Sequence, residues 1–199
     1  MKPLKLTVSA FGPFSDRQEI DFTKLGESPL FLINGATGSG KTSLLDAICF
    51  ALYGQTTGDE REAAQMRCDS ADESLLTEVT FEFSLSNTVY RIRRIPDQMR
   101  LKNNGKGETK QNPEAQLYTI DENQKETLTV AKKVTEATSE IRRITGLSVD
   151  QFRQVMVLPQ GKFRELLMAD SRSREEIFSQ LFQTPVSYTH LTLPTIYSV

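Results

Sequence analysis

Apolar and polar positions along this chain change period several times, and each change marks an element. Leu4-Lys5-Leu6-Thr7-Val8 alternates as a half-buried strand does. Phe11-Gly12-Pro13-Phe14 then turns the chain. Gln18-Glu19-Ile20-Asp21-Phe22 reads as a second strand, leading into a loop at Gly26-Glu27-Ser28-Pro29. Leu30-Phe31-Leu32-Ile33 is a continuous apolar run of buried-strand length. Leu44, Leu45, Ile48, Ala51 and Leu52 recur at helical spacing until Gly54 stops the helix. Residues 55–74 are polar and without period, which predicts a loop with one short helix around Glu60–Met66. Val79, Phe81, Phe83 and Leu85 alternate with polar residues, Ser86-Asn87 can make a tight turn, and Val89–Arg93 returns as the second arm of a hairpin. Residues 102–113 read as an exposed loop, and Ala115–Ile120 and Glu126–Thr129 as another hairpin. From Ala131 the period becomes helical through Val134, Ala137, Ile141 and Ile144, ending at Gly146. Ser148 and Gln151 are spaced as a capping box. The apolar run Val155–Leu158 is broken by Pro159-Gln160-Gly161, and two helices follow, the second capped by Ser173 and Glu176.

Between the apolar run and the first helix lies Gly35-Ala36-Thr37-Gly38-Ser39-Gly40-Lys41-Thr42, which fits G-x-x-x-x-G-K-[ST]. Strand, loop and helix in that order are the context this pattern needs. Gly35, Gly38 and Gly40 lack a Cβ and let the backbone reach φ values other residues avoid. Its N–H groups can then turn inward and surround phosphate oxygens. The positive end of the helix dipole stands behind them. Lys41 is expected to reach the β and γ phosphates of ATP, and Thr42 to place its hydroxyl on Mg²⁺. The candidate nucleotide-binding set is Asn34, Gly35, Ala36, Thr37, Gly38, Ser39, Gly40, Lys41, Thr42 and Ser43.

Gln160 is the other candidate. A glutamine on a loop after an apolar segment can bind Mg²⁺ through its carbonyl and orient an attacking water. Taken alone, Pro159-Gln160-Gly161 is only a turn. Beside a P-loop, Gln160 becomes the candidate catalytic residue and, with Thr42, a candidate metal ligand.

The chain has 199 residues, room for one domain or a domain and a piece of another. A net charge of −2 excludes a global field that draws in nucleic acid, so any such contact needs a local patch. The two cysteines, Cys49 and Cys68, make neither a metal site nor a disulfide framework, and Cys49 falls in the apolar pattern of the first helix. Met1-Lys2-Pro3-Leu4-Lys5-Leu6 lacks a signal-peptide core, and no stretch suits a bilayer, so a cytoplasmic protein with no membrane partner is expected. From Gln183 onward there is no acidic or basic residue except His190, and Pro185 and Pro194 interrupt any helix. The segment 185–199 therefore reads as a non-native or disordered tail.

Several segments together resemble one family. Ala10-Phe11-Gly12-Pro13-Phe14 with Ile20-Asp21-Phe22, then Asn34 through Thr42 with Ser43-Leu44-Leu45-Asp46-Ala47-Ile48 and Ala51-Leu52-Tyr53-Gly54, are similar in order and kind to the opening of the SbcC family. Val157-Leu158-Pro159-Gln160-Gly161 resembles its Q-loop, and Arg174–Phe178 with Leu181-Phe182 the helix entering its coiled coil. These are the ATPase subunits of bacterial SbcCD nuclease complexes, in the SMC-like branch of ABC-type ATPases. The likeness covers residues 1–184, with the coiled-coil helix starting over 171–184. It implies an α/β P-loop NTPase, an ABC-type, SMC-like ATPase half-head with an antiparallel β subdomain. It implies ATP hydrolysis that gates an SbcD-like metallophosphoesterase nuclease subunit on DNA ends and double-strand breaks. It also implies heads that dimerise around two nucleotides, each completed by its own C-terminal half, so that this chain alone is inactive. One departure is Gly12, where many archaeal and eukaryotic relatives carry a nucleotide-touching arginine.

The signature, Walker B and switch-histidine motifs of such ATPases are missing from the 199 residues. Leu117-Tyr118-Thr119-Ile120-Asp121-Glu122 imitates a Walker B, but Thr119 interrupts it and Asp121-Glu122-Asn123 has turn chemistry. Arg91 and Arg93 share a strand face, with Arg94, Arg100 and Lys102 nearby, and read either as a phosphate patch or as a charged, solvated sheet surface. The rival functions are a transporter nucleotide-binding subunit, in which the span from P-loop to Q-loop is much shorter, and a chromosome-organising SMC-type ATPase. A Cys-x-x-Cys hook beyond this chain would exclude the latter.

Overall fold

The computed structural model describes residues 1–26, 31–58, 63–102, 107–121, 123–156 and 170. The chain divides into two units, Met1–Arg153 and Gln154–Val199. The elements below belong to the first, with one helix running three residues into the second. In chain order the described strands and helices are β1 (Lys2–Ser9), β2 (Gln18–Asp21), α1 (Lys41–Tyr53), β3 (Glu78–Leu85), β4 (Thr88–Ile95), β5 (Gln98–Leu101), β6 (Glu108–Gln111), β7 (Glu114–Ile120), β8 (Glu126–Val130), α2 (Val134–Thr145) and α3 (Val149–Met156).

Six strands make one antiparallel sheet in the order β2-β1-β3-β4-β7-β8. Register follows from the period-two pattern, because a one-residue slip would turn each apolar set to solvent. Leu6 pairs with Phe81, Phe81 with Ile92, Ile92 with Leu117 and Leu117 with Val130, a row of buried apolar side chains across five strands. Each contributes roughly 1.5–3 kcal/mol by leaving water. Helix α1 packs on β3 and β4, and α2 on β7. Ala47, Phe50, Ala51, Leu52, Ala137 and Ile141 bring the helix faces into the same core.

The sequence signals at the ends of these elements hold. Ser86, at φ +53°, sits in the two-residue turn between β3 and β4. Gly54 and Gly146 close α1 and α2 in left-handed conformation, with N–H bonds of 2.7 and 2.8 Å to Phe50 O and Arg142 O. The capping box of α3 forms in both directions: Ser148 N–H donates to Gln151 Oε1 at 2.8 Å and Gln151 N–H to Ser148 Oγ at 3.2 Å.

Four expectations need correction. Phe31–Ile33 form no strand, and Phe31, Leu32 and Ile33 are 48%, 87% and 37% exposed. A strand persists only beside another strand, and this segment pairs with neither edge of the sheet, β2 or β8. Residues 108–111, expected in a loop, form β6 and pair with β5. That hairpin is polar and leaves Met99 half exposed, so it carries no apolar period to detect. Phe22 leaves the second strand and opens a 3-10 turn capped by Asp21, whose Oδ1 accepts from Thr23 N–H at 3.0 Å. The short helix of the 55–74 loop is a 3-10 turn, Ala63–Met66. Glu27–Leu30, Glu60–Glu62, Gln160, the expected helices and caps beyond it, the 171–184 segment and the 185–199 tail lie outside the described residues.

Candidate nucleotide-binding site

The loop from Asn34 to Gly40 is exposed or half-buried throughout and runs directly into α1. Gly38 and Gly40 take φ of +84° and +87°, where a side chain is strained. Gly35 is needed for space as well: a Cβ there would stand 2.6 Å from Ser39 Oγ. Ser39 N–H donates to Ala36 O at 3.2 Å, which folds the loop back on itself, and Asn34 Oδ1 accepts from Gly35 N–H at 2.9 Å. Lys41 Nζ donates to Gly35 O at 2.9 Å and to Ala36 O at 2.7 Å, so its ammonium stands over the loop rather than away from it.

The start of α1 is what an anion needs. Gly40 is the N-cap and offers no side-chain acceptor, and the first turn holds no acidic residue. The first intrahelical bond there is Leu44 N–H to Gly40 O, 3.1 Å. The preceding amides of the turn lie at the positive end of the helix dipole and have no carbonyl one turn earlier to accept them. A phosphate fits this end by charge and by donor supply. Thr42 is exposed on the first turn and Ser43 half-buried behind it. Gln160 lies outside the described residues.

Other candidates resolve differently. Arg91 is ion-paired with Glu82 at 2.8 Å and with Glu126, and Arg93 with Glu78. Both lie on the outer sheet face, and their charges are matched there, which favours the solvated charged surface over a phosphate patch. Arg94 is on the other face. It is 2% exposed and donates from Nε to Ala51 O at 3.0 Å, and from Nη2 to Leu52 O at 3.1 Å and Thr138 Oγ1 at 3.2 Å. It therefore ties β4 to the last turn of α1 and to α2, with the negative end of the α1 dipole as its counter-charge. Its Nη1 has no hydrogen-bond partner among the described residues. Burial alone pushes the guanidinium down to about 10, so it remains charged at neutral pH. Strand parity could have found it: Ile92 faces the core, and Arg94 is two residues on.

Asp121 is the hairpin residue its chemistry predicted. Its Oδ1 accepts from Asn123 N–H at 2.9 Å and Lys125 N–H at 2.8 Å in the β7–β8 turn, and Glu122 lies outside the described residues. Asp46, on α1, is buried and accepts from Thr57 N–H at 3.0 Å and from the Thr57 hydroxyl, which fixes the loop after the helix. Cys49 is fully buried, and burial pushes its thiol up to about 11.

A glycine-rich loop capping a dipole-aligned helix, with a lysine over the loop, beside helices packed on an antiparallel sheet, is consistent with a P-loop NTPase. A family model described as an AAA domain matches residues 5–187. The chain belongs to that family. It is similar to two curated SbcC proteins of the SbcCD nuclease: 58% identical to that of Vibrio cholerae serotype O1 and 38% identical to that of Staphylococcus aureus strain MRSA252, each over 184 residues. Each alignment takes in 92% of this chain and 18% of the relative, so the chain spans less than a fifth of their length. A solved structure from work on ATP-driven dimerization and DNA-stimulated activation of SMC ATPases matches with a TM-score of 0.45 and 14% identity, over 91% of this chain and 99% of that one. That likeness is too low to bear on fold or chemistry.

Proposed function

We propose that this chain is the ATP-binding part of an SbcC-like DNA repair ATPase, over residues 1–184. The observation that carries the reading is the start of α1: a left-handed glycine N-cap, no competing side-chain cap, no acidic residue in the first turn and Lys41 folded over the loop. Asn34 through Ser43 would bind the phosphates of ATP through backbone N–H groups and the Lys41 ammonium. Lys41 would exchange Gly35 O and Ala36 O for phosphate oxygens, a stronger, charge-assisted pairing. Thr42 and Gln160 would hold Mg²⁺, and Gln160 would orient the attacking water. Mg²⁺ when bound supplies charge neutralisation on the β and γ phosphate oxygens.

The partners proposed are an SbcD-like metallophosphoesterase nuclease subunit, DNA ends, and a second head. The compartment proposed is the cytoplasm; among the described residues no helix is long and apolar enough to cross a membrane. The exposed Phe31–Ile33 run supports a further sheet partner from a C-terminal half, since an exposed apolar segment gains by pairing as a strand. The segment 185–199 is proposed to be a tail without a part in the site.

The test is calorimetry of ATP·Mg²⁺ binding to the chain and to Lys41→Ala. Hydrogen bonds to charged groups are worth about 1.5–3 kcal/mol each, so affinity should fall at least about tenfold. Equal affinities would remove the P-loop reading. In the protein completed by a C-terminal half, Gln160→Ala should spare binding and slow hydrolysis. A matching loss of affinity would remove that role from Gln160.

A further inference from the structure

The Phe11-Gly12-Pro13-Phe14 turn leaves β1 and closes on itself by two bonds, Phe11 N–H to Phe14 O and Phe14 N–H to Phe11 O, both 3.0 Å. Its back is anchored. Gly12 N–H donates to Met66 O at 2.7 Å and Cys68 N–H to Ala10 O at 3.0 Å. The Phe11 ring is fully buried, 5.8 Å from the Phe50 ring on α1. Its front carries Pro13, exposed, and Phe14, half-buried.

That front lies against the P-loop. A Cβ on Gly40 would stand 2.7 Å from Pro13 Cγ and 2.8 Å from Phe14 Cζ. A Cβ on Gly12 would stand 3.2 Å from both Cβ and Oγ of Ser43. The turn thus touches the N-cap of α1 and the first helical turn at once. Glycine at φ +87° has the widest choice of conformations of any residue, and nothing in its own structure selects this one. The two rings beside it are carried by a turn whose backbone is held at Ala10 and Gly12 by the bonds to Cys68 and Met66.

We propose that Pro13 and Phe14 are positioning residues for the nucleotide site. They hold Gly40 in its left-handed conformation and keep the P-loop amides set before a phosphate arrives. The inference rests on the nucleotide-binding reading above. A cradle of backbone dipoles binds an anion well only if its ordering cost has been met in advance. Contact with a preformed turn meets that cost during folding.

Two readouts on the full 199-residue chain test it. The first needs no nucleotide. The Leu44 amide is bonded to Gly40 O, so its hydrogen exchange reports where Gly40 is. Phe14→Ala should speed that exchange about tenfold, the factor expected if one residue's backbone is released. Amides in the centre of β3 and β4 should be unaffected, and Phe14→Leu should restore most of the protection. The second readout is ATP·Mg²⁺ affinity, which should fall by a similar factor in Phe14→Ala and recover in Phe14→Leu. Where Phe14→Ala does not fold, Pro13→Ala and Phe14→Leu carry the same comparison at smaller amplitude. Unchanged Leu44 exchange, or a rise equal to that in β3 and β4, overturns the proposal. A wild-type chain that binds no ATP overturns the P-loop reading instead and leaves the exchange result decisive for the turn.

Discussion

Two large apolar side chains, Phe81 and Leu32, have opposite fates in this protein. Phe81, in β3, has Leu6 and Ile92 as cross-strand neighbours and is fully buried. Leu32, just ahead of the P-loop, has no strand beside it among the described residues and is 87% exposed. The difference lies in company rather than composition. An antiparallel hairpin carries its own partner a few residues away, and the order β2-β1-β3-β4-β7-β8 is built largely from such neighbours. Among the described residues the run before the P-loop has no partner of that kind, and Phe31, Leu32 and Ile33 stay exposed. A sheet contributes stability through pairs, and a strand without a pair contributes none.

Substitutions in the two regions should therefore separate sharply. Phe81→Ala should cost about 3–5 kcal/mol through lost transfer energy and the cavity left in the row Leu6–Phe81–Ile92–Leu117. A urea midpoint close to wild type would mean the row does not carry the fold. Arg94→Ala should cost somewhat less, about 3 kcal/mol, since it deletes charge-assisted bonds to Ala51 O and Leu52 O and unties β4 from α1. If it melted like wild type, the buried guanidinium would be a passenger and not a tie.

A smaller effect concerns pH. The folded thiol of Cys49 is raised to about 11 from 9.0, chiefly by burial. The unfolded chain therefore loses that proton first, and this thiol's contribution to stability is full below pH 9 and lost as pH rises through 11. In a Cys68→Ser background, alkylation at about pH 8 should be slow until denaturant is added, because a buried thiol is neither ionised nor accessible. Rapid labelling of the native chain would place Cys49 outside the core. The smallest effect belongs to the unpaired run: Leu32→Ser should change stability by no more than about 0.5 kcal/mol, as an exposed position allows. Its visible consequence should be less self-association in light scattering, because exposed apolar surface is removed. A loss of several degrees in Tm would show that Leu32 packs against something in solution.

The arginines of β4 repeat the contrast at the scale of one strand. Arg91 and Arg93 face outward and are matched by Glu82, Glu126 and Glu78. Arg94 faces inward and finds helix carbonyls. Strand parity, available in the residue numbers, puts Arg91 and Arg93 on one face and Arg94 on the other. The polar β5–β6 hairpin is different in kind. Its pairing of Gln98–Leu101 with Glu108–Gln111 leaves no apolar stripe, so periodicity has nothing to register.

What the sequence by itself determined here is what rests on a few consecutive residues. The left-handed Gly38 and Gly40 ahead of α1, the Gly54 and Gly146 stops, the Ser148–Gln151 capping box, the Asp121 turn and the period-two hairpins are all local, and each was readable. What only the tertiary structure decided rests on residues far apart in the chain. It set Arg94 under the end of α1, left Phe31–Ile33 without a neighbouring strand and brought Pro13 and Phe14 against Gly40. The physical reason is one of range. A turn, cap or helix stop is satisfied by hydrogen bonds within its own few residues, whereas a strand partner or a buried counter-charge must be delivered by another part of the folded chain.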